Sequence, residues 1–303
     1  MNTTLTAVKG LKVGHWTQHG AKTGCTVILC PPNGCIASGM ALGGAPGTRE
    51  LALLAPEKTV ERAHAVVLSG GSAYGLDAAS GVMRWLDEMD RGFATPFGKV
   101  PIVPAAVIYD LGRGDPSVRP DAGAGYTAAS LASSEPVTQG AIGVGTGAAV
   151  GKYLGFEHLS ASGLGSAAQR VGDATVAALA VSNAAGDVVD PQTGQVVAGA
   201  KKDGAGPYTN LSDFFPAAGS NTTLVVVATD ACISKTQAYG LAQSAHIGIA
   251  QVTRPSHTMH DGDVTFVLST CAGPEVPLIT LSVMVQEVVA RAIITGVRAA
   301  QSV

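Results

Sequence analysis

The sequence predicts an α+β fold arranged as a layered sandwich. Its 303 residues are 46% hydrophobic and 14% charged, so the chain can bury a sizeable core. The 39 glycines and several Ala-rich segments indicate closely packed layers. Apolar runs typical of buried strands are mixed with segments of helical spacing, and the turns suit hairpins. This mixture favours a layered α+β sandwich over a parallel sheet.

The first third of the chain predicts mainly short strands. LKVGHW, CTVILC and CIASGMAL are each strand-like, and PPNG provides strong turn chemistry between the second and the third. A short helix is predicted over Glu50–Leu54, followed by a buried strand in HAVVLSGG. The next segment has apolar residues at helical spacing from Leu76 to Leu86, with Ser72 as its predicted N-cap and Gly92 as its stop.

The middle of the chain predicts two further strands and a helix of small residues. VPIVPAAVIYDL, with two prolines, predicts a bulged or edge segment that leads into a strand. Residues 121–134 predict the helix, and TVAALAVSN predicts a buried strand that ends at Asn183. The hairpin that follows is expected to turn at Asp190–Gly194.

The last third begins with residues 198–221, which have little regular pattern. A connection of this length is usually functional or mobile. Ser234 and Gln237 predict a capping box at the start of a helix that runs to about Ile249. DVTFVLST predicts another strand, and Pro277 opens a long final helix. The apolar segment of that helix contains Gln286, Glu287 and Arg291, so it predicts a core helix and not a membrane span.

Charge and cysteine content exclude several classes of function. The net charge is -3 and no block of like charges occurs, which argues against a nucleic-acid or anionic-membrane partner. The five cysteines are expected to be free and mostly buried, as in a reducing cytosol. The N-terminal segment lacks the pattern of a signal peptide, and a cytoplasmic location is expected.

Three partial motifs carry little weight. GVGTGA matches the loose dinucleotide pattern, but no acidic residue stands at the expected distance beyond it. GGSAYG resembles a serine-hydrolase elbow with its second glycine displaced by one residue. HTMHDGD makes a metal site conceivable, yet no further cluster of ligand-type residues stands out.

The stretch AAGSNTTLVVVATD places an amide and two hydroxyls directly before a buried strand. A turn explains Asn221, Thr222 and Thr223 without any catalytic role, and pattern alone favours it. The same residues also permit self-cleavage, in which the Thr222 hydroxyl attacks the carbonyl of Asn221 and hydrolysis frees the Thr222 amine. A free α-amino group has an ordinary pKa of about 8, so it can act as the base for the hydroxyl beside it.

A site of this kind needs a donor for the oxyanion and a polar network around the amine. Asn183, at the end of a predicted strand, is a candidate donor, and Lys152 can supply charge. Asp261 and Asp263 can hold the amine. Sequence spacing alone does not bring these residues together.

Seven segments spread over nearly the whole chain form a specific combination. They are GLKVGHWT (10–17), TGCTVILC (23–30), GGSAYGLDAASGVMRWL (70–86), VPIVPAAVIYDL (100–111), GAIGVGTGAAVGK (140–152), NTTL (221–224) and DGD (261–263). With them the chain resembles the L-aminopeptidase/D-esterase family of self-cleaving hydrolases, which includes the β-peptidyl aminopeptidases and the nylon-oligomer (6-aminohexanoate) endo-hydrolase.

The resemblance implies an αββα sandwich, similar to N-terminal-nucleophile hydrolases but differently connected, in one catalytic domain over residues 1–303. It implies cleavage between Asn221 and Thr222 into an α chain (1–221) and a β chain (222–303), with Thr222 as the nucleophile. The polar positions of the nylon-oligomer branch correspond to Lys152, Asn183, Asp261 and Asp263. Family members commonly form tetramers of the cleaved pair, and no cofactor is expected.

Two departures separate the chain from the peptidase branch. That branch uses serine where Thr222 stands here, and its second acidic position carries glutamate in place of Asp263. Both departures shift the resemblance towards the nylon-oligomer branch. The expected substrate is an amide with a free amino end, such as a short peptide or an ω-amino acid oligomer.

Three functional hypotheses follow from the sequence. The leading one is an autoprocessed threonine amidohydrolase or aminopeptidase that works through an acyl-enzyme. The second is an uncleaved, non-catalytic protein of the same fold that binds a small molecule. The third is a nucleotide-dependent enzyme that uses GVGTGA.

Overall fold

Two β-sheets lie face to face between two pairs of helices in the computed structural model of the chain, which describes residues 2–201 and 221–302. One helix pair packs on the outer face of each sheet. The layers therefore follow the order helix, sheet, sheet, helix, and the predicted layered α+β fold is confirmed.

The strands of the described residues are β1 (Lys12–Gln18), β2 (Thr23–Leu29), β3 (Cys35–Ala41), β4 (Thr48–Arg49), β5 (Arg62–Ala63), β6 (Ala65–Ser69), β7 (Phe93–Thr95), β8 (Gly98–Val100), β9 (Ala105–Val107), β10 (Ala149–Val150), β11 (Ser160–Ala161), β12 (Leu164–Val171), β13 (Ala174–Asn183), β14 (Asp187–Val189), β15 (Val196–Ala198), β16 (Thr222–Thr229), β17 (Thr253–Arg254) and β18 (Val264–Ser269). The α-helices are α1 (Ala78–Glu88), α2 (Ala122–Ser130), α3 (Lys235–Val252) and α4 (Leu278–Gln301). Short 3₁₀ helices cover Leu5–Ala7, Ala52–Leu54, Ser72–Asp77, Gly143–Gly147 and Lys152–Leu154.

The two large sheets are mostly antiparallel. One has the strand order β1-β2-β6-β9-β4 and the other β12-β13-β16-β18-β3-β5. Within the residues described, only β6 with β9 and β16 with β18 pair in parallel. In the six-stranded sheet, β16 lies between antiparallel β13 and parallel β18. The first residues of β16 therefore meet the end of β13 and the start of β18.

Three apolar layers hold the sandwich together. Leu224 and Val226 of β16 point into the layer between the sheets, where Phe266 is also buried. Val225 and Val227 point the other way, towards α3 and α4. The continuous run LVVV is therefore explained by a strand that is covered on both faces. A third layer packs α1 and α2 on the five-stranded sheet.

Glycine allows α1 and α2 to approach each other closely. A Cβ on Gly81 would lie 1.7 Å from the carbonyl oxygen of Ala122, and a Cβ on Gly125 would lie 1.9 Å from that of Ala78. Neither separation is possible for a larger residue without moving a helix. The expectation of closely packed layers from the Gly and Ala content is met here.

Several local predictions are confirmed. Ser234 and Gln237 form a full capping box at the start of α3. β14 and β15 form the predicted hairpin, and Pro277 precedes α4. Cys25, Cys30 and Cys35 are buried free thiols, whereas the free thiols of Cys232 and Cys271 lie nearer the surface.

Three local predictions are wrong. The segment Glu50–Leu54 forms only one 3₁₀ turn, Ala52–Leu54, because so short a segment cannot repay the cost of nucleating an α-helix. Ser72 is not an N-cap, since its backbone is left-handed (φ 53°) and its side chain makes no capping bond. Helix α1 ends at Glu88, before Gly92, because Asp90 (φ 52°) makes the left-handed turn.

Helix α4 is long and apolar enough to cross a membrane when judged by length and composition alone. Its buried side chains, among them Val285 and Val289, belong to the layer shared with the six-stranded sheet. A core helix passes the same test, and the packing agrees with the predicted core helix. Most of the predicted irregular connection, residues 202–220, lies outside the described residues.

Candidate active site

Asn221 and Thr222 lie at the centre of the molecule, where β16 begins. Thr222 is 5% exposed and Asn221 is 1% exposed. Thr222 pairs with Asn183 of β13, and Asn221 forms an isolated parallel bridge with Asp261 just before β18. The predicted cleavage point is therefore held between two neighbouring strands.

The carbonyl group of Asn221 accepts two hydrogen bonds. The Thr222 hydroxyl donates to it over 2.5 Å, and the backbone N–H of Gly262 donates to it over 2.8 Å. The hydroxyl thus lies beside the carbonyl that it would attack, and a backbone donor already polarises that carbonyl. These contacts bring together the three groups that an N-to-O acyl shift uses, namely a hydroxyl, a carbonyl and a donor for the developing charge.

Gly262 is the residue that makes this approach possible. A Cβ at this position would lie 2.9 Å from Thr222 Oγ1 and 2.7 Å from the backbone oxygen of Ala45. The glycine therefore permits the close contact between the Asp-Gly-Asp segment and the start of β16. In the sequence, this glycine belongs to the DGD segment, and no pattern there predicts a role for it.

The Asn183 side chain is buried and fixed at the end of β13. Its amide nitrogen donates to the carbonyl of Tyr109 over 3.0 Å, and its amide oxygen accepts the N–H of Ala149 over 3.1 Å. Asn183 faces Thr222 across the sheet. The structure thus places the predicted oxyanion donor next to the predicted nucleophile, with its amide held by backbone groups.

The Lys152 side chain is 3% exposed, and its Nζ donates to the backbone carbonyl of Asn183 over 2.7 Å. Burial lowers the pKa of Lys152 well below its ordinary value. Asp261 opposes that shift, Arg113 adds to it, and Asp110 opposes it. A lysine in this state exchanges its proton more readily near neutral pH than an exposed lysine does.

Asp261 and Asp263 lie on either side of Gly262, and each is 1% exposed. Asp261 accepts the backbone N–H and the hydroxyl of Thr258 over 2.8 and 2.6 Å. Asp263 accepts the N–H of Thr223, the residue after Thr222, over 2.5 Å. Burial, followed by the charge of Asp263, raises the pKa of Asp261.

Sequence reasoning gave His257 no role except in a conceivable metal site. Its Nδ1 lies 2.7 Å from Asp263 Oδ2, and its Nε2 lies 3.1 Å from the backbone oxygen of His246. Among the residues that the structure describes, no group of three or more His, Cys, Asp and Glu side chains could hold a metal ion. Within HTMHDGD, His257 contacts the carboxylate of Asp263 and Thr258 contacts that of Asp261.

Two further buried carboxyls support the site. Asp110 accepts the N–H of Gly71 and the hydroxyl of Thr23, each over 2.7 Å, and burial raises its pKa. Asp187 accepts the hydroxyl of Tyr153, the neighbour of Lys152, over 3.0 Å, and burial raises its pKa to about 6. Asp110 lies in the VIYDL segment, but no pattern in the sequence predicts a role for Asp110 or Asp187.

The GVGTGA segment is not arranged as a nucleotide loop. It forms a buried 3₁₀ turn, Gly143–Gly147, and does not open an α-helix. The backbone N–H of Gly143 donates to Thr17 Oγ1, and that of Val144 donates to Thr26 Oγ1. These donors are therefore engaged within the protein, which opposes the nucleotide-dependent hypothesis.

The sequence matches the family model for peptidase family S58 over residues 3–303. It is 39% identical over 334 residues to an uncharacterized aminopeptidase of Mycobacterium tuberculosis, covering 99% of this chain and 94% of that protein. It is 30% identical over 272 residues to a 6-aminohexanoate-oligomer endohydrolase of Paenarthrobacter ureafaciens, covering 86% of this chain and 73% of that protein.

Two solved structures share the fold. An L-aminopeptidase D-Ala-esterase/amidase of Ochrobactrum anthropi, described as a new variant of the Ntn hydrolase fold, matches with a TM-score of 0.75 and 20% identity. A β-aminopeptidase of Burkholderia matches with a TM-score of 0.73 and 20% identity. Each match covers 98% of this chain and 86% of the other.

Proposed function

The chain belongs to peptidase family S58 and is a hydrolase of peptide or amide bonds, and on that premise we propose that it cuts itself before Thr222 and then uses Thr222 as its catalytic nucleophile. The proposal is carried by one observation: the Asn221 carbonyl accepts hydrogen bonds from both the Thr222 hydroxyl and the Gly262 N–H. This arrangement holds the attacking oxygen, the target carbonyl and a donor for the developing charge together before any substrate is present.

Self-cleavage proceeds in two steps. Thr222 Oγ attacks the Asn221 carbonyl carbon and loses its proton to a base of the site, and the carbon–nitrogen bond breaks as the Thr222 nitrogen gains a proton. Water then hydrolyses the resulting ester. The products are an α chain (1–221) that ends in the Asn221 carboxylate and a β chain (222–303) that begins with the Thr222 amine and hydroxyl.

Substrate hydrolysis reuses the same groups. The Thr222 hydroxyl attacks the substrate carbonyl, and the free Thr222 amine accepts the hydroxyl proton and returns it to the leaving amine. Once Asn221 has left, the Gly262 N–H can bind the substrate oxyanion together with Asn183. Loss of one such donor is expected to raise the barrier by about 3 kcal/mol. Water then releases the acyl group from Thr222.

Lys152, Asp261 and Asp263 set the charge around the Thr222 amine. The lowered pKa of Lys152 suits a group that helps to move a proton, and the two carboxyls face the start of β16 from the other side. We assign these three residues to positioning and tuning the amine. The proposal requires no metal ion or cofactor.

The proposed substrates are amides with a free amino end, such as short peptides or ω-amino acid oligomers. The names of the relatives support both classes, since one is named as an uncharacterized aminopeptidase and another as a 6-aminohexanoate-oligomer endohydrolase. The higher identity to the aminopeptidase supports testing short peptides first. We further propose that residues 1–303 form one catalytic domain. We also propose that the cleaved pairs assemble as a tetramer in the cytoplasm. Analytical ultracentrifugation of the matured protein would measure the mass of that tetramer.

Two measurements test the proposal together. The matured protein is offered amino acid p-nitroanilides, β-peptides and 6-aminohexanoate oligomers, and the reaction is quenched for intact mass. We expect hydrolysis of at least one class and an acyl adduct on the 222–303 chain. An adduct on the 1–221 chain would contradict the role of Thr222. A single uncut chain without hydrolysis would support the rival hypothesis of a non-catalytic binding protein.

A further inference from the structure

His257 lies in the loop between β17 and β18, and its contacts run directly to the site. Its backbone N–H donates to Asp263 Oδ2 over 3.1 Å, and its Nδ1 lies 2.7 Å from the same oxygen. On the other side of the ring, Nε2 lies 3.1 Å from the backbone carbonyl of His246 in α3. The side chain is 15% exposed, so water does little to replace these contacts.

The two partners of the ring define its protonation. A backbone carbonyl oxygen only accepts hydrogen bonds, so the Nε2 atom of His257 must carry hydrogen. An ionised carboxylate also only accepts, so Nδ1 must carry hydrogen when Asp263 is charged. An imidazole with hydrogen on both nitrogens is a cation. The contacts therefore select the imidazolium form of His257.

The surroundings agree with a cation at this position. Burial opposes the charge on His257, but the hydrogen bond and charge of Asp263, the His246 carbonyl and the charge of Asp261 outweigh it and raise the pKa. The His246 ring packs edge-on against His257, with centroids 4.9 Å apart. Burial, with the charge of His257, lowers the pKa of His246 to about 4, so that ring stays neutral. The ionisable groups that face His257 are thus Asp263, Asp261 and His246.

Asp263 transmits this contact to the nucleophile. Its Oδ2 is held by His257, and its Oδ1 accepts the N–H of Thr223. A carboxylate fixed at both oxygens cannot rotate away from β16, nor can it turn towards the neighbouring Asp261. Because Thr223 follows Thr222 directly, the position of the nucleophile depends on this clamp.

We propose that His257 is a positioning residue whose imidazolium locks the Asp263 carboxylate onto the backbone at Thr223 and so aims Thr222 for self-cleavage and for catalysis. This inference rests on the proposed function of Thr222. It adds a protonation requirement, because a neutral ring can satisfy only one of its two acceptors. The clamp should weaken as pH rises through the pKa of His257.

Two substitutions at His257 distinguish a role in positioning Asp263 from a role in the stability of the fold. His257 has a left-handed backbone (φ 57°), which Gly and Asn both tolerate. His257→Gly removes the ring without backbone strain. His257→Asn keeps an N–H donor that can reach Asp263, but it has no titratable proton. His260→Asn, in the same loop, is the matched control.

The test measures kcat and KM against pH, the rate of self-cleavage, and the ring pKa of His257 by NMR in the matured wild-type protein. We expect a ring pKa above 6.5, a loss of kcat in His257→Gly on the order of 10- to 100-fold with KM little changed, and recovery of most of that loss in His257→Asn. The Asn variant should also lose the decline in kcat that follows the His257 titration. His260→Asn should behave as wild type.

Two results would overturn the role of His257. One is a His257→Gly variant whose kcat and self-cleavage match those of His260→Asn. The other is a wild-type ring pKa at or below 6.5, which remains measurable even if the glycine variant does not fold. The proposed function fails separately if wild-type protein hydrolyses substrate without a chain that begins at Thr222.

Discussion

The two ends of the parallel pair β16 and β18 both carry polar side chains, but the two ends use them differently. At the C-terminal end, the Thr229 hydroxyl donates to the carbonyl of Thr175 over 2.8 Å and accepts the N–H of Ala231 over 3.0 Å. Ser269 donates to the carbonyl of Ala231 over 2.6 Å. The bond from Ala231 to Thr229 closes a local turn, whereas the bonds to the carbonyls of Thr175 and Ala231 join segments that are distant in sequence. All three are ordinary structural contacts of hydroxyl groups at strand ends.

At the N-terminal end, the buried carboxyls of Asp261 and Asp263 lie two residues apart beside the start of β16. Burial and the charge of Asp263 raise the pKa of Asp261, so keeping both groups ionised there is unfavourable. Joining these strand ends does not require paired carboxyls, since hydroxyl groups do so at the C-terminal end. We therefore expect the free-energy cost of the carboxyl pair to serve the proposed chemistry and not the folding of the chain.

Among substitutions at the two strand ends, the largest loss of self-cleavage and hydrolysis is expected at Thr222. Thr222→Ala removes the attacking oxygen, so self-cleavage should stop and hydrolysis should fall by at least about 10⁴-fold. Thr222→Ser keeps a hydroxyl and should still cut. Intact mass and initial rates check both variants. A cut and active Thr222→Ala variant would break the distinction between the two ends.

The next effect is expected at Gly262, with Gly273 at the other end as its matched control. A Cβ at Gly262 would lie 2.9 Å from Thr222 Oγ1 and 2.7 Å from the Ala45 carbonyl oxygen, so Gly262→Ala must shift Thr222 or the Gly262 backbone and should slow self-cleavage on the order of 100-fold. A Cβ at Gly273 would lie 3.1 Å from the Asp230 carbonyl, where a small shift suffices. Time courses on denaturing gels compare the variants, and equal rates would count against the assigned geometry.

A smaller effect concerns the pH dependence of stability. A carboxyl whose pKa is raised by folding stabilises the protein below its unfolded pKa, and this contribution is lost as pH rises through the folded pKa. The pKa of Asp261 is raised, so in the wild type the free energy of unfolding should fall as the pH rises above about 4. Asp261→Asn should make this fall smaller. Urea unfolding in the uncut Thr222→Ala background measures this slope. An unchanged dependence of the unfolding free energy on pH would mean that folding does not raise the pKa of Asp261.

The smallest effect is expected at the C-terminal end. Thr229→Ala removes a turn hydrogen bond from Ala231 and a hydrogen bond to the carbonyl of Thr175 in β13, and it should lower the unfolding free energy by about 1–2 kcal/mol. Self-cleavage and kcat should stay within twofold of wild type, because no part of the site is touched. A large loss of kcat in this variant would erase the difference between the two ends.

Much of the fold could be predicted because its signals are local. The run LVVV predicts a strand covered on both faces, and Ser234 with Gln237 predicts a helix start, since both depend on neighbouring residues only. The predicted N-cap at Ser72 and the predicted helix stop at Gly92 were wrong because a left-handed residue redirects the chain near each position. Ser72 and Asp90 both adopt φ near 50°, and neither residue type predicts that conformation.

The site was predictable only in part, for a physical reason. Thr222, Asn183, Lys152, Asp261 and Asp263 were proposed through residue chemistry and a family resemblance, and the fold brings all five around the start of β16. Their approach depends on non-local pairing of β16 with β13 and β18. His257 was missed because its role depends on a loop that turns the ring back onto Asp263.

N-terminal sequencing of purified, hydrolytically active wild-type protein tests the central claim most directly. We expect two termini, one from the start of the chain and one that reads Thr-Thr-Leu-Val from Thr222 onwards. Hydrolytic activity in protein that has only the first terminus would contradict the account.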